Sequence, residues 1–378
     1  MERIVAAAQI LVVGYLALLG VMAGGARLMP ARVWRIARPS ISGVVLIYPA
    51  ALLALMVGQV GWPQESGLLA VLQIFAPYLF APLLLIAPFG LFRGTRLLRG
   101  VLAICALVFA VRFMSISGLT SPQPTPGLPQ LTVLSWNLGL GSEQAQIDRA
   151  RPVLSARPAD VVVLAEAYWR WIENDPAITA LYPYRTALYW NAETGLIILS
   201  AHSILQHDVP AQQNTLTDRG RQIVARLAVH GQPLNFIAAH PPSPAVNFGA
   251  CPLICYDVAD RNAQIDQLRT AINPLLRSGD PLIVAGDFNT TSREPQYQNL
   301  IAGMQEAHHE AGAGPGRSWP LAYGTGVPDP MQRFFPLIRI DHLFSSPRVI
   351  PLQSQVDCTP SGSDHCAVWG RFEIHPTP

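Results

Sequence analysis

Apolar residues dominate the first third of the chain in long runs and then give way to short, patterned ones. Residues 4–25, 41–61, 68–92 and 97–116 form four apolar stretches, each near the ~20 residues that a helix needs to cross ~30 Å of hydrocarbon. Pro77, Pro82 and Pro88 fall in the third, which predicts a kinked or partly irregular segment. A cleaved signal peptide is the competing reading of the first stretch, but its apolar run is long for that role and Ala23 to Ala26 only approximates a cleavage site. Residues 117–130 are rich in proline and small polar residues and read as a short, extended linker.

Beyond the linker the periods change. Apolar runs at 131–136, 160–164, 194–200, 222–229, 233–240, 281–285, 337–344 and 366–374 predict strands, with clear in-out alternation at 222–229. Residues 143–156 predict a helix. A second is predicted at 260–276, where Ile265, Leu268, Ile272 and Leu275 recur at three- and four-residue steps. Many strands with few helices imply an α+β, layered sandwich. The expected organisation is a membrane region at 1–116, a linker at 117–130 and a folded domain at 131–375.

Charge sharpens this division. Charged residues are 13% of the chain, against about 25% in ordinary soluble domains. Nine Arg and two Glu precede Ser117, a formal +7, whereas 17 Arg and 22 Asp and Glu follow it, a formal −5. Arg27, Arg32, Arg35 and Arg38 are expected in a first loop and Arg93 and Arg96 in a third, while the second loop, near Gln64 and Glu65, has no positive residue. By the positive-inside rule loops one and three are cytoplasmic, which places the folded domain outside the cytoplasm. A net-acidic domain is a poor match for nonspecific nucleic-acid binding, which needs phosphate-neutralising cations. Cys251, Cys255, Cys358 and Cys366, an even number in that domain, suggest disulfides in an oxidising compartment; local pairing is the simplest of three connectivities, and buried thiols are the alternative.

The chemistry collects at strand ends. Asn137, Glu166, His240, the run Gly286-Asp287-Phe288-Asn289, Arg339-Ile340-Asp341-His342 and Ser363-Asp364-His365 each close or border an apolar run. One such ending is ordinary turn chemistry. Six in one domain bring carboxylates, amides and imidazoles to positions where a rigid scaffold displays reactive groups.

In order and spacing these motifs resemble the endonuclease/exonuclease/phosphatase superfamily, over essentially all of residues 131–374. The resemblance implies a DNase-I-like, four-layer α/β/β/α sandwich, here preceded by a bundle of about four transmembrane helices. It implies Glu166 as main metal ligand, with Asn137 and Asp364 beside it, and Mg²⁺ (or Mn²⁺) as the cofactor. It further implies Asp287 as the group that deprotonates water, Asn289 as a phosphate or water ligand, Asp341 and His365 as a coupled pair, and His240 as a second imidazole. Arg219 and Arg221 could reach substrate phosphate, with solvated strand ends as the alternative, and Trp319 matches an aromatic position near the substrate rim, with core packing as the equal alternative. One departure stands out: Gly139 occupies the position two past Asn137 where a second acidic metal ligand would sit, which puts a two-metal site in doubt. His342, His202, His207, His230 and His375 are expected to be structural or superficial.

Several spans followed by an external domain of this kind also look like the VanJ-type teicoplanin-resistance proteins. That similarity implies a multi-pass protein of the bacterial cytoplasmic membrane acting on a lipid-linked phosphate, such as an undecaprenyl pyrophosphate-type carrier. The loop at 241–257 is then a candidate for meeting lipid. Two rivals are a tethered extracytoplasmic nuclease, which a basic, aromatic-lined groove would favour, and a non-catalytic membrane sensor, which has no need of a water-activating carboxylate.

Overall fold

The computed structural model describes residues 31–114, 122–139, 141–189, 194–208, 221–247, 255–321, 336–359 and 362–376. The stretch 4–25, Arg27, Arg219, Cys251 and the middle of the 241–257 loop lie outside the described residues. The chain divides into two compact units, Met1–Ser115 with Val246–Tyr256, and Ile116–Ala245 with Asp257–Pro378.

In the first unit, helix Ala31–Gly61 starts well before the apolar run at 41–61, so Arg32, Arg35 and Arg38 are helical rather than in a loop. Arg and Ala are strong helix formers, and charge alone is a poor marker of a loop. The part of this helix from Arg32 to Gly61 is long and apolar enough to cross a membrane. The expected span at 68–92 is broken, with segments Gly67–Ile74 and Ala76–Phe92 bent by 77°; Pro77 lies in the first positions of the short 3₁₀ turn Ala76–Phe80 at the break, and Pro82 precedes the helix that follows. Helix Arg96–Phe113 covers the last expected span and carries three Arg. Among the described residues there is thus one helix able to span, or two if the bent pair acts as one span, rather than a demonstrated bundle of four. Val45, Leu52, Met56, Phe80, Ile86 and Leu102 pack as the apolar cluster of this unit.

The second unit is built on two six-stranded sheets. Its strands are β1 (Gln130–Asn137), β2 (Val161–Tyr168), β3 (Tyr184–Tyr189), β4 (Thr194–Ser200), β5 (Ile204–Asp208), β6 (Gln222–Val229) and β7 (Gln232–Ala239). β8 (Ala245–Asn247) and β9 (Cys255–Asp257), which pair with each other, belong almost wholly to the first unit, and the second continues with β10 (Leu282–Asp287), β11 (Gln305–Glu306), β12 (Asp341–Ser345), β13 (Val349–Asp357) and β14 (Ala367–Ile374). The first sheet runs β13-β14-β1-β2-β4-β3 and the second β11-β12-β10-β7-β6-β5.

Three apolar clusters make the layers. Leu131, Val133, Val161 and Val163 of the first sheet meet Ile223, Phe236, Ala238 and Ile283 of the second. Val162, Leu164 and Trp136 face the other way, toward Ala150 and Leu154 of helix Glu143–Ala156. Ile237 and Val284 do the same for the second sheet, against Ile265, Leu268 and Ile272 of helix Ala259–Ser278. Central strands buried on both faces read as continuous apolar runs, as at 161–165, whereas β6, nearer an edge, alternates. The result is an α/β/β/α sandwich.

The topology fixes where the chemistry goes. β1 and β2 are parallel neighbours, with Asn137 opposite Ala165, and β7 and β10 are parallel neighbours, with Ala239 opposite Gly286. Their C-terminal ends lie at one edge of the sandwich. β12 runs antiparallel to β10 and begins with Asp341 opposite Asp287, and β14 runs antiparallel to β1 just after His365.

Candidate active site

Each strand end presents its side chain for a local reason. β2 loses register with β4 between Leu164 and Ala167, and Glu166, inside that irregularity, takes φ 54°. Such a conformation costs a non-glycine residue about 1–3 kcal/mol and persists where surroundings impose it. Gln146 helps impose it: wholly buried on the stripe it shares with Ala150 and Leu154, it donates to Glu166 O (2.7 Å) and Gly139 O (3.0 Å) and accepts from Tyr168 N (2.9 Å). On β10, Gly286 is obligatory, because a Cβ there would lie 1.8 Å from Ala239 O. That close approach sets Asp287 beside His240.

The side chains converge. The Asp287 carboxylate is buried, with Oδ2 3.0 Å from Asn137 Nδ2, 3.6 Å from His240 Nδ1 and 3.8 Å from His365 Nε2. Its Oδ1 accepts from Asn289 N at 2.9 Å. His240 Nε2 lies 3.4 Å from Glu166 Oε1, and Asn137 Nδ2 donates to the same oxygen at 3.3 Å. His365 Nδ1 is 2.9 Å from Asp341 Oδ2. Ser363 completes the frame, donating to Asn137 O (2.7 Å) and accepting from His365 N (3.0 Å). Six of the expected residues, Asn137, Glu166, His240, Asp287, Asp341 and His365, thus form one connected cluster.

Electrostatics follow from burial and pairing. Burial works to raise the Glu166 carboxyl, but hydrogen bonds from His240 and Asn137 outweigh it and hold the group below the usual range. Burial raises Asp287, and the Asp341 carboxylate raises it further. Burial would lower His365, yet Asp341 and Asp287 prevail and lift it to about 10.

The remaining expected residues sit around this cluster. Asn289 takes φ 50° and its Nδ2 donates to Pro241 O at 3.0 Å. Asp364 accepts from Trp319 Nε1 at 3.2 Å, and the Trp319 ring is 6.3 Å from that of His365. Arg221 precedes β6, accepts from His240 N through its carbonyl (2.9 Å), and feels the Glu166 charge. His342 faces away from the cluster: it stacks on Phe344 and meets Thr290 O at 3.1 Å.

Two places could hold a metal. Asp287, Asp341 and His365 offer ligand atoms within 4.8 Å of one another, but His365 is already hydrogen-bonded to Asp341 and the three are buried. Glu166 is the open carboxylate, its side chain 24% exposed, and its hard oxygens suit Mg²⁺ or Mn²⁺. Asn137 turns its amide nitrogen to the carboxylates and spends its oxygen on Gly139 N at 2.9 Å, the orientation of a donor to Glu166 and Asp287 rather than of a metal ligand. Four residues that support the site carry no motif: Gln146, Ser318, whose hydroxyl accepts from Asp341 N, and Arg261 and Glu294, which hold Asn289 O and Thr291 N. A glutamine on the apolar stripe of helix Glu143–Ala156 was the one available signal for the first, and nothing local marks the other three.

Two mixed sheets that deliver carboxylates, an amide and two imidazoles to one edge define a hydrolytic site on a four-layer sandwich. The Endonuclease/Exonuclease/phosphatase family model matches residues 134–365, and the chain belongs to that family, whose members are phosphoester hydrolases. The chain is also 30% identical over 103 residues to the uncharacterized protein YbhP of Escherichia coli K12 and of Shigella flexneri. The match covers 25% of this chain and 36% of each relative, so the chain spans little more than a third of their length. In fold it is similar to truncated Caenorhabditis elegans TDP2 (17% identity, TM-score 0.51, covering 65% of this chain and 98% of that one). The human Nocturnin catalytic domain with bound sulfate is comparable (17%, TM-score 0.50, covering 68% and 96%).

Proposed function

We propose that the chain is a membrane-anchored, metal-dependent phosphoester hydrolase in which Asp287 takes a proton from the attacking water. The observation that carries this reading is the Asp287 carboxylate, held by Asn137 and Asn289 N and flanked at 3.6 and 3.8 Å by two imidazoles. A proton acceptor, two acids and an adjacent open carboxylate are what phosphoryl transfer to water requires. Glu166, with Asp364 as a further carboxylate, would hold the divalent cation, which supplies charge stabilisation for phosphoryl oxygens. His365, kept cationic and aimed by Asp341, donates to the developing charge on those oxygens. His240 protonates the leaving oxygen. Arg221 would meet substrate phosphate, and Trp319 would wall the rim.

The substrate proposed is a lipid-linked phosphate or pyrophosphate of the undecaprenyl type, hydrolysed outside the cytoplasm by a multi-pass protein of the bacterial cytoplasmic membrane, as in the VanJ-type proteins. The apolar helix Arg32–Gly61, the short linker and the acidic balance of the folded domain support it. A tethered nuclease is the second reading, favoured by the endonuclease and exonuclease members that the family description names and opposed by that charge.

The test compares phosphate release from undecaprenyl pyrophosphate with nicking of plasmid DNA, using detergent-purified chain and Mg²⁺, with Asp287→Ala and His365→Ala as controls. Release abolished by both substitutions, without nicking, is expected. Metal-dependent nicking alone would overturn the lipid reading in favour of the nuclease.

A further inference from the structure

A buried ion pair lies behind Asn289. Arg261, in the first turn of helix Ala259–Ser278, and Glu294, which precedes helix Pro295–Ile301, have side chains only 1% and 3% exposed. Withdrawing two charges from water is costly, so a buried pair is weak evidence of a stability device. What the pair holds is the turn that follows Asp287. Arg261 Nη1 donates to Asn289 O at 2.8 Å and to Glu294 Oε1 at 2.6 Å. Glu294 Oε2 accepts from Thr291 N at 2.7 Å and from the Thr290 hydroxyl at 3.4 Å. The residue so held, Asn289, lies in the left-handed region at φ 50°, a conformation that must be imposed. Its N–H is the donor to Asp287 Oδ1 at 2.9 Å.

We propose that Arg261 and Glu294 are positioning residues that clamp residues 289–291 from behind, so that Asn289 N–H keeps the Asp287 carboxylate turned toward the imidazoles. The inference rests on the reading of Asp287 as the proton acceptor. Neither clamp residue touches the substrate. Arg261 is suited to the work because one planar guanidinium serves Asn289 O, Glu294 and the Asn262 side chain at once. A lysine keeps the charge without that fork.

The test is Arg261→Lys in the full chain purified in detergent. Its first arm measures hydrogen exchange of residues 287–294 without metal, alongside thermal melting. Faster exchange confined to that stretch, in a variant still folded at assay temperature, is expected; unchanged exchange overturns the clamp. The second arm measures turnover of undecaprenyl pyrophosphate with Mg²⁺. A kcat loss of roughly tenfold to a hundredfold with KM within about twofold is expected, whereas unchanged kcat, or a loss matched by loss of folded protein, overturns it. If Arg261→Lys does not fold, Glu294→Gln carries both arms, since Arg261 and Thr291 N donate to different carboxylate oxygens and an amide puts a donor NH₂ in the place of one of them. A wild-type chain silent in the second arm would sink the lipid-phosphate reading, and the exchange arm would still decide the clamp.

Discussion

The carboxylate of Asp364 fills the space that a side chain at position 139 would need. A Cβ on Gly139 would lie 2.7 Å from Asp364 Oδ1, and Gly139 itself takes φ 67°. The glycine where a second acidic ligand would otherwise stand is therefore built into the site, and a single carboxylate, Asp364, reaches that region from the opposite strand end. Gly139→Ala is expected to lower stability by roughly 1–3 kcal/mol, from backbone strain plus the clash. Calorimetric or circular-dichroism melting checks it, and an unchanged midpoint would contradict the geometry.

Asp341 serves His365. It is fully buried, its Oδ2 lies 2.9 Å from His365 Nδ1, and its charge is the first of those that lift the imidazole to about 10. Asp341→Asn keeps the shape but removes the charge and invites the wrong tautomer. A loss in kcat on the order of 10²- to 10⁴-fold, with KM little changed, is expected from steady-state kinetics. A loss expressed mainly in KM would instead make Asp341 a binding residue.

Glu306 predicts how stability falls in acid. It is buried, ion-paired with Arg339 (3.1 Å), lies 3.6 Å from His342 Nδ1, and caps helix Ala307–Ala311 through His309 N (2.8 Å). Burial opposes its charge, but Arg339 and His342 prevail and hold it at about 2, against the usual 4.5. A carboxyl depressed on folding stabilises above its unfolded value, and that stability drains as pH falls from 4.5 toward 2. The contribution is about 3 kcal/mol. Denaturant unfolding of the folded domain as a function of pH should show this slope, and Glu306→Gln should flatten it.

The strand ends were readable because each apolar run stops where its reactive residue begins, as at Asp287 and His240, and because helices with a clean apolar stripe, such as Ala259–Ser278, declare their period. Other elements were hidden for physical reasons. β13 carries Pro351 beside a register shift, which reads as a break, yet an edge strand tolerates a missing donor. β3 and β5 lie at the sheet edges with mixed exposure and lack strict alternation. The clamp of Arg261 and Glu294 joins residues 33 positions apart, and in sequence both look like ordinary solvated charges. Glu166 shows the limit most sharply: its identity was legible, but the bulge and φ 54° that aim it depend on pairing with β4.

The disulfide between Cys358 and Cys366 joins the end of β13 to the residue after His365, and Cys255 is disulfide-bonded as well. The first bridge closes a loop that contains Ser363, Asp364 and His365, three residues that frame or enter the cluster. Cys366 is fully buried, and its N–H donates to Ser318 O at 2.8 Å, while the Ser318 hydroxyl accepts from Asp341 N at 3.2 Å. Opening the bridge therefore frees the segment that aims His365, besides returning roughly 2–3 kcal/mol of chain entropy to the unfolded state. Dithiothreitol should lower both the melting midpoint and kcat of the wild-type chain. The double variant Cys358→Ser, Cys366→Ser should start at the lower kcat and respond to reductant no further at this site. Full activity in the double variant, folded and in reductant, would mean that the hydrogen bonds of Ser363 hold His365 on their own.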